Sequence, residues 1–302
     1  MTDYFQYNVG VPSNPFMDAP APLFSDKETA DKMVRAKQIN DDTFWASMRE
    51  VFAKDLETLP MERFKVWAST MTVPIMSRNR FTAYMKIALD ALDDWNQVDR
   101  DGNAITNALT EPMIGMTEKD YPIYAVFDDF KTTMNRIQAF AHLYLNNISI
   151  GELMCMDTIV ELGGGVGDMA DVVYKLGFKG KYIIYDFPEL GKIQKWYHDE
   201  LGLTNVVHTD NINDLVDADL CIATWSLTEM PMDLRDQIVD KIGNTKNWLI
   251  AYSNEIFGFD NDKYIRENLI PRFKVGYDTE FTDVPYMAWD GGTKYVTIKQ
   301  NT

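Results

Sequence analysis

At 302 residues, with 46% hydrophobic and 13% aromatic side chains, the chain is long and apolar enough to bury a sizeable core. Its formal net charge of -17 argues against DNA, RNA or an anionic membrane surface as partner, because those affinities depend on neutralising phosphate. Two cysteines, Cys155 and Cys221, with no CxxC spacing, give no reason to expect a disulfide framework or a zinc site and fit a reducing compartment.

Residues 1–25 are rich in Pro and Asn without periodicity and read as an extended arm. They contain no basic segment followed by an apolar one, and no apolar run spans a bilayer, so a cytoplasmic location is expected. From residue 26 to 150 the spacing predicts a helical domain. Phe44, Trp45, Met48, Val51, Phe52 and Leu56 fall on one helical stripe, and so do Phe81, Tyr84, Met85, Ala88, Leu89, Leu92 and Trp95, with Pro74 between the two helices. Residues 101–122 read as a long loop, and helical spacing resumes from Val126 to about Asn146. No strand alternation is legible in this half.

From residue 151 to 302 the pattern changes. Short apolar runs (DTIVEL, YIIYDF, NVVHT, ADLCIATWS and NWLIAYS) alternate with helical stretches at Met169–Leu176, Glu189–Leu201 and Leu234–Ile242. Such an alternation predicts a parallel sheet covered on both faces. Two last runs, RFKVGYDTEF and TKYVTIKQ, suit a terminal hairpin at the sheet edge.

The first run leads into Gly163, Gly165 and Gly167. Gly165-x-Gly167-x-x-Ala170 satisfies a dinucleotide fingerprint, with a strand before it, a helix after it and Asp186 at the end of the next strand, where an acid can bond ribose hydroxyls. Either NAD(P) or S-adenosylmethionine carries that ribose. Glu161 favours the second: an acid beside the turn suits an ammonium and a sulfonium and repels a pyrophosphate. No basic residue lies in the turn, and five strands plus a hairpin leave no second mononucleotide half. A capping or lysine-paired role for Glu161 is the structural alternative.

With VELGGGVGDMA, YIIYDFPEL and DLCIATWSLTEMP in view, residues 157–302 resemble class I S-adenosylmethionine-dependent methyltransferases and, more narrowly, the sugar O-methyltransferase family. The resemblance implies an α/β, Rossmann-like seven-stranded sheet with the helical first half as lid and acceptor pocket, S-adenosyl-L-methionine as cofactor, and O-methylation of a sugar or similar polar hydroxyl. It implies Glu161 at the methionine end, glycines 163, 165 and 167 under the ligand and Asp186 on the ribose. Asp210 and Asn211 would meet the adenine unless they form a plain turn, and Trp225 would be an apolar wall or core.

Three side chains are candidates for catalysis. Glu229, after the fourth strand, would orient substrate, act as base or cap the next helix. Glu255 follows the fifth strand at the same edge. His142 faces the cleft or is a satisfied structural histidine. His198 is expected at the surface and His208 near the adenine. The acid pairs Asp210/Asp214 and Asp260/Asp262 lack a third ligand, so no metal is expected. The expected partner is a small-molecule acceptor, with no nucleic acid and no membrane; assembly stays open, a homodimer being one option. An NAD(P)-dependent oxidoreductase and a non-catalytic binding module on the same fold remain as alternatives.

Overall fold

The computed structural model describes residues 26–36, 43–71, 78–96, 103–116, 124–126, 130–273, 276–283 and 293–301. The expected arm over 1–25 and Pro74 lie outside them. The first half supplies helices α1 (Lys27–Ala36), α2 (Phe44–Thr58), α3 (Ala68–Met71), α4 (Arg78–Asn96) and α5 (Asn103–Leu109). A short hairpin, β1 (Tyr124–Val126) with β2 (Phe130–Thr132), and α6 (Met134–Leu145) complete it.

Two expectations for this half need correction. The stretch expected as a loop contains α5, whose Ile105, Ala108 and Leu109 are buried. The helix expected from Val126 starts only at Met134, because residues 124–126 and 130–132 pair as strands. A three-residue strand is too short for a period to register in sequence.

The second half runs α7 (Ile150–Met154), β3 (Thr158–Leu162), α8 (Asp168–Lys175), β4 (Lys181–Tyr185), α9 (Pro188–Glu200), β5 (Val206–Thr209), β6 (Leu220–Thr224), α10 (Ser226–Glu229), α11 (Met232–Ile242) and β7 (Asn247–Ser253). A small hairpin of β8 (Glu255–Ile256) and β9 (Phe259–Asp260) follows, then α12 (Asn261–Tyr264), β10 (Tyr277–Asp283) and β11 (Thr293–Gln300). Seven strands form one sheet in the order β10-β11-β7-β6-β3-β4-β5. β3 to β7 are parallel, and β11 is antiparallel to both neighbours. The terminal pair is therefore a hairpin as expected, but its last strand lies inside the sheet, between β7 and β10.

The parallel strands are buried on both faces, which is why their sequences read as continuous apolar runs. Residues alternate between two cores. Ile159, Tyr182, Ile184, Leu220, Ile222 and Tyr295 face a layer built by α4, α5, α6 and α8. Val160, Ile183, Cys221, Trp248 and Ile250 face α11, α12 and the turn after it. Each fully buried aliphatic or aromatic side chain contributes about 1.5–3 kcal/mol of transfer free energy. The first core crosses residue 150: α4 to α6 form one layer on the sheet. A third core joins α2 and residues 61–67 to α9.

Strand order reverses between β3 and β6, since the chain leaves β3 towards β4 on one side and returns to β6 on the other. Open α/β sheets bind ligands at the carboxyl end of such a switch point. No helix among the described residues is long and apolar enough to cross a membrane.

Candidate functional site

The carboxyl ends of β3, β4 and β6 meet at this switch point. After β3 the chain turns through Gly163, Gly165 and Gly167, all at positive φ, into α8. At two of them glycine is required. A Cβ on Gly163 (φ 71°) would overlap the Cβ of Ser226, and one on Gly167 (φ 93°) would lie 2.7 Å from His198 Nε2. Gly163 also donates its N–H to the Tyr185 carbonyl at 2.8 Å, tying the turn to β4.

Asp186 follows β4 and holds the turn from beneath. Its Oδ2 accepts from Gly165 N–H at 3.2 Å and from Gln194 Nε2 at 2.8 Å, and its Oδ1 accepts from Phe187 N–H at 2.8 Å. Gln194 donates also to the Gly165 carbonyl at 2.9 Å. Burial raises the Asp186 carboxyl to about 6 against these hydrogen bonds. Glu161 is buried on the face of β3 otherwise occupied by apolar residues, and its Oε2 accepts from Tyr182 O–H at 3.0 Å. Burial drives it to about 8, with Asp186 and Asp168 adding repulsion. Glu161 is paired with a tyrosine rather than a lysine, and it caps no helix.

Across the crevice, β6 ends at Trp225, a non-glycine residue at φ 66° whose N–H donates to the Ala251 carbonyl at 2.6 Å. Ser226 donates to the Leu162 carbonyl, closing β6 against the start of the glycine turn. Three residues on, half-buried Glu229 accepts from Trp45 Nε1–H at 3.1 Å. Burial raises its carboxyl to about 7. Trp45 belongs to α2, and its ring also lies 5.9 Å from Phe187 beside Asp186. Arg49, one turn further along α2, makes a two-point ion pair with Glu189 at 3.0 and 3.2 Å and sits over the Phe187 ring. Helix α2 thus bridges both sides of the switch point.

Several expected roles are relocated. His142 is buried behind Trp225, its ring 5.1 Å away edge-on, and its Nδ1 is 2.7 Å from Tyr295 Oη. Burial lowers it to about 3, so it is neutral at working pH, and its Nε2 has no hydrogen-bond partner among the described residues. Glu255 is exposed on the β8–β9 hairpin, because β7 ends at Ser253 and the chain then leaves the sheet edge. His198, expected at the surface, is buried: its Nε2–H donates to the Gly167 carbonyl at 2.9 Å, and its Nδ1 accepts from His208 Nε2–H at 2.9 Å. His208 therefore braces the glycine turn from behind. Asn211 is exposed and caps its own turn through Asn213 N–H at 3.1 Å, while exposed Asp210 lies where it attracts Arg49. Among the expected metal-binding acids, Asp214 accepts from Thr209 and Asp262 pairs with Lys294 and Arg266. Among the described residues no group of three or more His, Cys, Asp or Glu side chains converges as for a metal.

Sequence reasoning missed Gln194 and the buried ion cluster behind the turn. Lys65 Nζ lies 2.8 Å from both Glu111 and Asp168, and Arg136 lies 2.6 Å from Asp171. Asp168 is the first residue of α8, so this cluster fixes the helical half to the glycine turn. A polar residue on the buried stripe of α9, among Leu190, Ile193 and Tyr197, was the legible signal for Gln194.

No family model matches the chain, and no curated protein matches it. Among solved structures the chain is similar to StiE O-MT residues 942–1257, with 11% identity, a TM-score of 0.44, and coverage of 54% of this chain and 73% of that one. It is similar to an rRNA methylase from Streptococcus thermophilus at 14% identity and a TM-score of 0.39, covering 51% and 92%. A SAM-dependent methyltransferase from Aquifex aeolicus is similar at 17% identity and a TM-score of 0.38, covering 48% and 82%. Likenesses this distant carry no function over.

Proposed function

We propose that the chain is an S-adenosylmethionine-dependent methyltransferase acting on a hydroxyl of a small molecule. The observation that carries this reading is the set of carboxyls at the switch point. Glu161, Asp186 and Glu229 are all pushed upward by burial, to about 8, 6 and 7. Arg49 on α2 is already paired with Glu189, and Arg235, which attracts Glu229, donates to Met230, Thr228 and Asn261. Carboxyls raised by burial beside cations that are already engaged favour a ligand that brings positive charge, and they disfavour a pyrophosphate. The sulfonium and ammonium of S-adenosylmethionine fit this donor set.

Glu161 would face the methionine end and Asp186 the ribose, beside the close backbone approach at Gly163 to Gly167. When bound, the cofactor supplies a methyl group already activated by positive sulfur. The chain's own tasks are to hold an acceptor hydroxyl in line and to take its proton. Glu229, at the carboxyl end of β6, would take the second task, a role supported by the Trp45 hydrogen bond that fixes its carboxyl. The finer expectation, a sugar hydroxyl, rests on the sequence resemblance alone.

The test is calorimetric titration with S-adenosylhomocysteine, with NAD+ and NADP+ as controls, in two buffers of different ionisation enthalpy. Binding of the first alone is expected, with net proton release, because the ligand's ammonium at the methionine end favours the ionised form of Glu161, which burial keeps protonated without it. Binding of a dinucleotide instead overturns the reading. Glu229→Gln is expected to cut methyl transfer by about 10²–10⁴-fold while leaving cofactor affinity near wild type. Unchanged turnover removes Glu229 as the base.

A further inference from the structure

A cavity of about 420 Å³ opens beside Glu229, walled by Met230, Pro231, Met232, Phe257 and Phe259. It begins three residues past Ser226, where β6 touches the glycine turn. We propose that this cavity is the acceptor site and that it takes an aromatic alcohol, a flat ring with one hydroxyl held by Glu229, in place of a sugar. The inference rests on the methyltransferase reading for its purpose but not for its geometry.

The polar inventory of the cavity decides the chemical class. Its charged lining residues are Glu229, Asp233 and Arg235. The guanidinium of Arg235 is engaged: Nε donates to the Met230 carbonyl at 2.7 Å, Nη1 to Asn261 Oδ1 at 3.0 Å, and Nη2 to the Thr228 carbonyl. The ring of Tyr264 lies 5.1 Å from it. What remains for a ligand is carboxylate oxygen, on half-buried Glu229 and exposed Asp233, and apolar wall. A sugar presents hydroxyls all round its ring, and most would be desolvated here without partners. A phosphate or carboxylate would meet like charge. A single hydroxyl on a flat ring matches: its donor reaches the Glu229 oxygen that Trp45 leaves, and its π face meets Phe257 and the two methionine sulfurs.

Backbone strain points the same way. Phe257 (φ 53°) and Gly258 (φ 78°) form the two-residue turn between β8 and β9, both at positive φ. Such turns favour Asn-Gly or Asp-Gly, and a phenylalanine there is strained. Strain of this kind persists where the side chain is needed. The Phe257 ring lines the cavity and lies 6.0 Å from Phe44 at the start of α2.

The experiment uses the full chain and saturation-transfer NMR with three probes, 2-naphthol, methyl α-D-glucoside and phenethylamine, with S-adenosylhomocysteine titrated in parallel. Only 2-naphthol is expected to bind. Phe257→Asn should lower its affinity at least tenfold while the thermal midpoint stays the same or rises, because the turn is relieved. A purely structural role for Phe257 predicts a lower midpoint instead. Exposed Phe259→Ala gives a second variant with the same expected loss. Preference for the glucoside or the amine, or wild-type naphthol affinity in both variants, overturns the inference. If naphthol binds and S-adenosylhomocysteine does not, the cofactor reading fails and the aromatic site stands.

Discussion

The two banks of the switch-point crevice are built differently. On the glycine-turn bank the groups that shape the turn are answered from within: Asp186 by Gly165, Phe187 and Gln194, His198 by Gly167 and His208, Lys65 by Glu111 and Asp168, while Gln194 Oε1 and Asp168 Oδ2 have no hydrogen-bond partner among the described residues. On the far bank Glu229 has one donor among the described residues, the wall is largely apolar, and two aromatic residues, Trp225 and Phe257, sit at positive φ. The first bank spends its interactions on a fixed shape. The second stores strain and leaves an acceptor unfilled. A constant ligand suits a rigid bank, and a ligand that defines specificity suits the other.

The largest effect that could break this contrast lies at the ion cluster. Lys65→Met leaves buried Glu111 and Asp168 with Arg136, 3.7 Å from Asp168, as their remaining cation, and stability in urea unfolding should fall by about 3 kcal/mol. A small change would mean that the glycine bank is not held by the cluster. Next comes Glu161→Gln, which keeps the shape but removes the charge. Affinity for S-adenosylhomocysteine should drop at least about tenfold, the value of one charge-assisted hydrogen bond, with stability at neutral pH close to wild type.

The same variant sharpens the pH dependence. Glu161 is raised from 4.5 to about 8, so the folded chain keeps a proton that the unfolded chain has lost between those values. Stability therefore falls as pH rises from about 4.5 to about 8, and the slope should be shallower in Glu161→Gln. Asp186 and Glu229 add the same sign below pH 6 and 7. The smallest effect is Arg49→Ala on α2. Its ion pair with Glu189 is half-exposed, so the loss of stability should stay below about 1 kcal/mol. A larger loss would make α2 part of the rigid bank.

Strands and helices of the second half were legible because each carries its own period, and the glycine turn because strand, glycines and helix are adjacent in sequence. Asp186 and Glu229 were found by their place at strand ends. What could not be read depends on partners far along the chain. Lys65 meets Asp168 across 103 residues, and His198 is buried only because the Gly167 carbonyl sits above it. Glu255 follows β7 as expected, but its exposure on the β8–β9 hairpin was not legible, because that hairpin is only two residues per strand. The Phe257 turn defies local propensity, which is why it was invisible in sequence and informative in the structure.

The position of β11 bears on how the molecule is made. This strand, over Thr293–Gln300, is inserted between β7 and β10 and pairs with both. Its Tyr295 lies within hydrogen-bonding reach of Tyr84 on α4 and His142 on α6, more than 150 residues earlier. On the ribosome, β7 emerges without its neighbour and the layer of α4 and α6 without the side chain that ties it to the sheet. Neither can close until the last described strand leaves the exit tunnel. The sheet is thus completed only after β11 has been made, and until then the emerging chain presents the bare edge of β7.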